Sequence, residues 1–515
     1  MRYTPIATNR ERLSTASQST TDALEALSDT PSPLVWRLTI TASISGFLFG
    51  YDTGYISSVL VSIGNDLGGD GLSIKNREYI SSATSFGALI ASIFAGLLAD
   101  FIGRKYTVIL CDVLFIVGTV LQYAAGSVKL MIVGRLIMGL GVGIGSLCAP
   151  LYITELSPSR FRGRLVTINC LAITGGQLIA YAVGALLSPI NSGWRFTVAL
   201  SLLPCLIQFA SILFLPDTPR YLIMKGRFED AYVVLKAIYP MASESLINMN
   251  IDELHALNTL WDGVNSNVGK LKSSFKELFS KPSNLRSLTI ACALQAAQQF
   301  AGFNALMYFS SSIFEMVGFE NSTLVSCFIA GTNFITTILA ILIIDKVGRR
   351  NILLISVPLL LISQIICAVS FSHMDISMQT LHNDGNDDWK YPLLTGLILF
   401  VAFYSIGLGN VPWQQSELFP QKVRGLGSSF STATNWFGSM LVSFCFLTLM
   451  DTISPSMTFL LFAGNTFLAF LFIYFLYPEL TGLQLEEVQN LLSDGFNVEK
   501  SVEMYQDYKN YHPLQ

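Results

Sequence analysis

The chain has 515 residues, of which 51% are hydrophobic and only 13% are charged, whereas soluble proteins carry about 25% charged residues. Its formal net charge of −4 at pH 7 gives no indication of a nucleic-acid partner. This composition excludes an ordinary soluble domain and indicates a polytopic α-helical membrane protein.

Apolar runs of about 20 residues recur along the whole chain, and each is long enough to cross a bilayer as a helix. Twelve spans are predicted, at residues 35–58, 79–99, 106–126, 129–151, 167–188, 195–215, 286–311, 323–344, 350–371, 392–414, 427–449 and 456–477.

These spans predict an all-α fold with two six-helix bundles, at 34–215 and 285–477, joined by a cytoplasmic linker at 216–284 that forms short helices. The segments 1–33 and 478–515 are predicted to be cytoplasmic tails. The first is rich in Ser and Thr and has no apolar core, so we expect a disordered tail and not a signal peptide.

Lys and Arg residues predict the orientation, because cytoplasmic loops of membrane proteins are enriched in both. With the N-terminus inside, the outer loops carry only Lys75, Arg77, Lys129, Arg195 and Lys390 of the 31 Lys and Arg residues. Both termini are therefore predicted to be cytoplasmic. This topology places the sequon that begins at Asn321 outside, where we predict glycosylation.

Asp52 lies inside the first predicted span and Arg135 inside the fourth. An ionised side chain in a bilayer costs about 3 kcal/mol on insertion scales and is usually functional. At about 1.5 Å per residue, both fall in the outer half of the membrane, so they can pair. A carboxylate that alternately pairs with Arg and takes up a proton is a proton switch. The alternative is a permanent ion pair that only joins two helices.

Two other features of the early spans receive a structural interpretation. Asp112 lies in the third span, near its predicted cytoplasmic end, so we assign it to the helix end, with a proton role as the alternative. The run Gly139-x-Gly141-x-Gly143-x-Gly145 lies in an apolar span without the strand–loop–helix context of a nucleotide-binding loop, so it indicates close helix packing.

Three motifs of the first half recur in order in the second half, which indicates two bundles that rock about a central site. They are Asp100-x-x-Gly103-Arg104 with Asp345-x-x-Gly348-Arg349, Glu155-Leu-Ser-Pro158 before Arg162 with Glu417-Leu-Phe-Pro420 before Arg424, and Pro216-Asp217 with Pro478-Glu479.

The charged residues of these motifs are predicted at helix ends on the cytoplasmic side. Ion pairs between the bundles would hold that side closed and would break when it opens. The predicted network contains Asp100, Arg104, Glu155, Arg162, Asp345, Arg349, Glu417 and Arg424. The alternative is ordinary positive charge on the cytoplasmic side.

Further motifs are Gly96-x-x-x-Asp100, Pro216-Asp217-Thr218-Pro219-Arg220, Gln298-Gln299-x-x-Gly302-x-Asn304 and Pro478-Glu479-Leu-Thr-Gly482. Together with the repeats, they resemble the sugar-porter branch of the major facilitator superfamily over about residues 35–490. Within that branch, the runs 50–58 and 411–417 are most similar to fungal myo-inositol transporters.

A polyol site needs amide donors and acceptors for the hydroxyl groups and an aromatic face for the ring. The resemblance assigns substrate binding to Gln177, Gln298, Gln299, Asn304 and Asn333, and closure of the pocket to Trp413. The alternative is that buried amides only join helices. Asn435 is one methylene shorter than the Gln that many sugar porters carry there, so no substrate contact is assigned to it.

The resemblance also implies gates. It assigns Tyr308 to the outer gate. Gly302 and Pro412 are predicted to weaken their helices where bending would open or close the cavity.

The leading hypothesis is proton-coupled symport of myo-inositol by alternating access at the plasma membrane. The resemblance supports symport, because related facilitators tend to carry Asn at the position of Asp52. The alternatives are a hexose or pentose facilitator or symporter of the same family, and a transporter-like nutrient sensor. Partners are then a polyol or sugar, protons and the lipid bilayer.

The chain is not predicted to be an enzyme, because it has no phosphate-binding loop and no His-Glu-x-x-His or Gly-x-Ser-x-Gly motif. No cofactor or metal is expected, because all eight cysteines lie in apolar segments and all four histidines in loops or tails.

Overall fold

The computed structural model describes residues 20, 23–24, 27, 30–68, 71–262, 267–374, 376–377, 382–383, 387–481, 483 and 485–511. Within these ranges, side chains are not described at 159–160, 257–262, 267–268, 270–271, 345, 376–377, 382–383, 387, 414, 416–417, 421, 485–486 and 508–511. Most of the predicted tail at 1–33 therefore lies outside the described residues.

The N-terminal bundle has six membrane-spanning segments. They are α1 (Pro33–Ser62), α2 (Ile74–Ile102), α3 (Arg104–Tyr123), α4 (Val128–Leu156), α5 (Ser159–Leu187) and a last segment made of α6 (Gly193–Ala199) and α7 (Leu202–Leu213). Ser32, Ser73 and Ser127 begin α1, α2 and α4. Each hydroxyl accepts a hydrogen bond from a first-turn N–H group that has no partner within the helix.

Close contact between α2 and α4 depends on the glycine run. A Cβ atom at Gly139 would collide with the backbone oxygen of Thr84, and one at Gly143 would collide with that of Ala88. Only a residue without a side chain fits where two helix backbones approach this closely. The prediction of close helix packing is therefore confirmed.

Four short helices follow this bundle: α8 (Pro219–Met224), α9 (Phe228–Ile238), α10 (Glu244–Asp262) and α11 (Asn267–Ser280). Thr218 begins α8 by accepting a hydrogen bond from the N–H group of Tyr221. Ala231 and Leu235 of α9 belong to the same buried cluster as Leu156 of α4. The linker helices α8 and α9 therefore share the hydrophobic core of the first bundle.

The C-terminal bundle begins with a helix in two pieces, α12 (Pro282–Phe300) and α13 (Phe303–Met316). It continues with α14 (Ser322–Val347), α15 (Arg349–Ser372), α16 (Lys390–Ile406), a 3-10 helix (Val411–Leu418), α17 (Gln421–Thr452) and α18 (Pro455–Leu476). Between α15 and α16, β1 (Ile376–Ser377) pairs antiparallel with β2 (His382–Asn383), before a short 3-10 helix (Asp387–Trp389). Two helices follow the bundle, α19 (Leu485–Leu491) and α20 (Val498–Tyr511).

Ten segments of the described chain are long and apolar enough to cross a membrane. α1 and the pair α12–α13 complete the twelve predicted spans, so the prediction of an all-α protein with two six-helix bundles is confirmed. Successive spans alternate in direction. We call the end that carries the start of α1 and the linker helices the linker face, and the opposite end, where α1 ends and α2 begins, the loop face.

Glu277 connects the linker to the second bundle. It accepts a hydrogen bond from Lys281 at 2.8 Å and also pairs with Lys422 at the start of α17. Partial burial acts to raise the pKa of Glu277, but the two ammonium groups outweigh it and hold the pKa below its usual value. The folded state therefore favours the ionised carboxylate, and α11 is held against α17.

We expect Glu277→Gln to lower the melting temperature in detergent by about 1 °C near pH 7, because half-exposed ion pairs contribute little. A carboxylate with a depressed pKa stabilises the fold above its unfolded-state pKa, and this is lost as the pH falls through the folded-state pKa. The difference from wild type should therefore disappear in acid. Glu499→Gln in α20 is the control, and an equal shift by Glu277→Gln at both pH values would contradict the assignment.

The break between α12 and α13 lies at Gly302. Its φ of 87° is in the left-handed region, and a Cβ atom there would lie 2.6 Å from the ring of Phe462. Backbone conformation and packing therefore both require glycine. A second interruption follows α16, which ends at Ile406 with Gly407 at its C-terminus.

We expect Gly302→Ala to destabilise the protein by about 3 kcal/mol, because a left-handed alanine is strained and the Phe462 ring must move. Thermal unfolding in detergent measures the loss. Gly464→Ala is the control, because a Cβ atom at Gly464 meets no atom within 4 Å. If both variants melted like the wild type, the break would not depend on glycine.

Candidate functional site

Asp52 and Arg135 form a buried ion pair within the first bundle. Arg135 Nη1 lies 2.8 Å from Asp52 Oδ1, and the two side chains are 0% and 1% exposed. Arg135 also donates to the carbonyl of Ile80 at 2.9 Å and to the hydroxyl of Tyr55 at 3.2 Å. Tyr55 in turn donates to Gln122 at 2.9 Å. The guanidinium group thus joins α1, α2 and α4, and Asp52 is the carboxylate among these partners.

Amide side chains of the second bundle gather where α16 is interrupted. Asn435 Nδ2 donates to Gln295 Oε1 and to Gln298 Oε1, both at 2.6 Å. Gln298 Nε2 donates to the carbonyl of Leu408 at 2.7 Å, and Gln295 Nε2 donates to that of Pro412 at 3.1 Å. Carbonyl groups freed by a broken helix need such donors, because the bilayer offers no water. We call Gln295, Gln298 and Asn435 the amide cluster.

A second amide contact joins the two bundles. Asn333 Nδ2 on α14 donates to Gln177 Oε1 on α5 at 2.7 Å, and Ser405 Oγ on α16 donates to Asn333 Oδ1 at 2.6 Å. Gln177 and Asn333 are each 4% exposed. Two predicted binding residues from opposite bundles are therefore hydrogen-bonded to each other, and opening between the bundles must separate them.

A third polar contact lies on α13 and α17. Asn304 Nδ2 donates to Gln299 Oε1 at 2.7 Å and reaches Ser439 Oγ at 3.5 Å. Ser439 Oγ lies 3.0 Å from Ser85 Oγ on α2 of the first bundle. The structure therefore brings Gln299 and Asn304 together beside a contact between the bundles.

Three further residues have predicted roles in closure, gating or glycosylation. Trp413 is half-buried at the start of the 3-10 helix, directly after Pro412. Tyr308 is 2% exposed on α13. Asn321 is exposed in front of α14. Their roles in closure, gating and glycosylation remain predictions.

Four polar residues without a predicted role lie at these contacts: Gln295, Gln415, Asn435 and Ser405. Gln295 precedes Gln298 and Gln299 by one helical turn, so spacing alone puts it on the same face. Gln415 accepts from Gln295 at 3.2 Å and donates to Thr432 at 3.0 Å.

At the linker face, two of the repeated motifs contact each other within each half: the Pro-Asp or Pro-Glu motif binds the Gly-Arg motif. Gly103 has a φ of 93°, and Asp217 accepts hydrogen bonds from the N–H groups of Arg104 at 3.1 Å and Thr218 at 2.8 Å. A Cβ atom at Gly103 would collide with this carboxylate. Burial raises the pKa of Asp217 above its usual value, although the backbone donors act against the rise. Asp217 thereby binds the start of α3, where helix N–H groups have no partner.

The second half repeats this arrangement. Gly348 has a φ of 93°, and Glu479 accepts hydrogen bonds from the N–H groups of Arg349 at 3.1 Å and Arg350 at 3.0 Å. The carboxylate that follows the last helix of each half thus binds the start of the third helix of the same half.

The ion pairs of Arg104 differ from the predicted arrangement between bundles. Arg104 Nη2 lies 2.9 Å from Asp100 and 2.8 Å from Glu155, both in its own bundle, because these carboxylates end the neighbouring helices α2 and α4. Arg162 is exposed. Arg424 Nε donates to the carbonyl of Phe419 at 3.3 Å, within the second bundle.

The side chains of Asp345 and Glu417 lie outside the described part of the chain. The network that includes them and Arg349 therefore stays a prediction.

The interpretation of Asp112 as a helix-end residue is wrong. Asp112 is 0% exposed and lies inside α3, about 12 Å from its start at 1.5 Å per residue. Neither carboxylate oxygen has a hydrogen-bond partner among the described residues. A charge without a partner is costly to bury, so the alternative of a proton role remains a prediction.

Curated relatives match most of the chain. It is 51% identical over 474 residues to myo-inositol transporter 1 of Saccharomyces cerevisiae, which covers 91% of this chain and 81% of the relative. It is 47% identical to myo-inositol transporter 1 of Candida albicans, with 93% and 87% covered, and 44% identical to myo-inositol transporter 2 of Schizosaccharomyces pombe, with 90% and 82% covered.

Solved structures share the fold. The proton:xylose symporter XylE, a major facilitator superfamily protein, superposes with a TM-score of 0.72 at 24% identity over 89% of this chain and 99% of the other. The inward-open xylose transporter XylE from E. coli gives a TM-score of 0.71 at 25% identity over 89% and 99%. The family model described as "Sugar (and other) transporter" matches residues 38–492. The chain therefore belongs to the family of sugar (and other) transporters, its curated relatives are transporters and not enzymes, and it shares its fold with a major facilitator superfamily protein.

Proposed function

We propose that the protein carries myo-inositol across the plasma membrane together with protons, by alternating access. The substrate is supported by the similarity to relatives that are named myo-inositol transporters. The coupling rests on one observation, the buried pair of Asp52 and Arg135 at 2.8 Å. The linker face is assigned to the cytoplasm, because Lys and Arg are enriched in the segments predicted there.

Asp52 performs the coupling step. While it is ionised, it is held by the guanidinium group of Arg135. A proton from outside removes the charge of Asp52 and most of its attraction to Arg135, which is strong in a medium of low dielectric constant. α1 and α4 are then freer to separate, and the state that carries substrate inward becomes more populated.

The amide groups perform substrate binding. Each Gln or Asn side chain supplies both donors and an acceptor, so a ring of hydroxyl groups is able to exchange the present amide–amide bonds for amide–hydroxyl bonds. The contact of Gln177 with Asn333 is then replaced by contacts of both to the substrate. Binding in this way links the two bundles to one molecule and couples occupancy to closure.

A hexose or pentose is the second candidate substrate, because hydrogen bonds from amides recognise a ring of hydroxyls in general. Competition of labelled inositol by glucose and xylose in proteoliposomes distinguishes the two. Inositol uptake that glucose or xylose suppresses more strongly than unlabelled inositol would overturn the preferred substrate.

The deciding experiment for coupling is uptake of labelled myo-inositol by the purified protein in liposomes, with and without an imposed pH gradient. We expect accumulation above the external concentration only when the outside is acidic. Uptake that only reaches equilibrium in both conditions would show a facilitator, and binding without uptake would show a sensor. A fluorescent fusion in intact cells tests the assignment to the plasma membrane.

A further inference from the structure

Two consecutive charged residues near the start of α2 reach across to different helices of the second bundle. Arg77 Nη1 donates to Ser312 Oγ on α13 at 3.2 Å. Glu78 accepts twice from Thr448 on α17, from the backbone N–H at 2.7 Å and from the hydroxyl at 2.6 Å. Glu78 is 3% exposed although it lies near the loop face. We call the pair of Glu78 and Thr448 the loop-face latch.

Apart from the contacts of Arg77 with Ser312 and Glu315, the other described contacts that hold the two bundles together nearby are between neutral groups. Ser57 Oγ lies 3.0 Å from both Ser310 Oγ and Ser311 Oγ, and Tyr181 Oη lies 3.0 Å from Ser310 Oγ. Hydrogen bonds to an ionised acceptor are about twice as strong as those between neutral groups. Among these hydrogen bonds between the bundles, the latch is therefore the one whose strength depends on protonation.

The charge of Glu78 decides how many bonds it accepts from Thr448. An ionised carboxylate offers both oxygens as acceptors, whereas a protonated one has a hydroxyl that acts as a donor and accepts poorly. A protonated Glu78 thus accepts from the backbone N–H of Thr448 alone and donates its own hydroxyl to Thr448 Oγ1, and both bonds lose the assistance of a charge.

Other charged and titratable groups around Glu78 do not replace it in this role. Lys75 and Arg77 flank it on α2, and both are cationic. Cys445 interacts with it from α17, and Arg135 of α4 donates to the carbonyl of Ile80 on α2. Glu315 of α13 interacts with Arg77, so it is a carboxyl group of the same loop face that is separate from the two bonds of Glu78 to Thr448.

We propose that Glu78 is a second proton-binding site, which closes the loop face when ionised and lets it open when a proton binds from outside. That the loop face is the outer side rests on the orientation in the proposed function. In the transport cycle, an acidic exterior would then return the empty carrier to the state that receives substrate, independently of the proton on Asp52.

The test measures the distance between two nitroxide labels across the loop face by double electron–electron resonance. The protein is in lipid nanodiscs without substrate. Gly126→Cys and Ile453→Cys carry the labels, because a Cβ atom at Gly126 meets open space and Ile453 is 44% exposed. The half-buried cysteines of the chain, Cys170, Cys292, Cys327 and Cys445, are replaced by alanine in every sample.

In the wild-type background, we expect the ratio of long to short distances to rise about tenfold between about pH 7.5 and about pH 5, as loss of the charge assistance implies. Glu78→Gln should show the high ratio at both pH values. Thr448→Val, which keeps the backbone donor and removes the hydroxyl, should show an intermediate ratio at neutral pH. Glu320→Gln, an exposed neighbour of the same loop face, is the control and should behave like the wild type.

The same ratios in Glu78→Gln and Thr448→Val as in the wild type at both pH values would overturn the proposal. So would a pH response that disappears completely in Asp52→Asn, because Asp52 alone would then carry it. The distances require no transport, so a failure of inositol uptake refutes the proposed function without touching this result.

Discussion

Asp52→Asn is expected to abolish accumulation of inositol against its gradient while exchange across the membrane continues. Asparagine retains the shape of the side chain and one acceptor for Arg135, but it takes up no proton. Movement of the carrier is then no longer linked to the proton gradient, and the final ratio of internal to external inositol falls to about one. Proteoliposomes with an acidic exterior measure accumulation, and preloaded vesicles measure exchange.

The neutral Asn also leaves the 0% exposed guanidinium group of Arg135 without its counter-charge, which destabilises a protein by about 3 to 5 kcal/mol. The double variant Asp52→Asn with Arg135→Gln controls for this, because it removes both charges. It should recover melting temperature but not accumulation. Accumulation by Asp52→Asn at the wild-type level would contradict coupling through this residue.

Gln298→Leu is expected to weaken inositol binding about 100-fold, because a leucine of similar size leaves substrate hydroxyls without partners in a dry site. The variant also removes the donor to Leu408 and an acceptor of Asn435. Concentration dependence of exchange in proteoliposomes measures the effect, and a melting curve shows how much of it comes from stability.

Gln208→Leu in α7 is the matched control for Gln298→Leu. Gln208 is 0% exposed and donates to the carbonyl of Thr41 and to Ser45 Oγ, so its loss has a comparable structural effect within the first bundle. We expect a lower melting temperature with nearly unchanged affinity. Equal losses of affinity in both variants would show that Gln298 acts only through stability.

The fold and several contacts follow from properties that a single helix carries. Span length, the rise per residue and the cost of a buried charge are local, so the twelve spans and the meeting of Asp52 with Arg135 are accessible from the sequence. The break at Gly302 is accessible in the same way, because only a residue able to adopt a positive φ fits it.

Contacts that depend on the position of one bundle relative to the other could not be predicted from the sequence. The bond from Asn333 to Gln177 and that from Thr448 to Glu78 join residues more than 150 positions apart, and their existence depends on the rotation of one bundle against the other. Asn435 shows a further limit. Its short side chain argued against a contact with substrate. It nevertheless reaches two glutamines, because α12 places both within hydrogen-bonding distance of it.

Asp217 and Glu479 have a mechanical consequence. Each binds the end of a half-molecule to the beginning of that half's third helix. The linker-face end of each half is therefore held together by its own carboxylate. A pull on the linker that follows Asp217 is then borne by the contacts of Asp217 with the start of α3. The two halves consequently move with stiff linker-face ends, and the breaks between α6 and α7, at Gly302 and after α16 are the places left for bending.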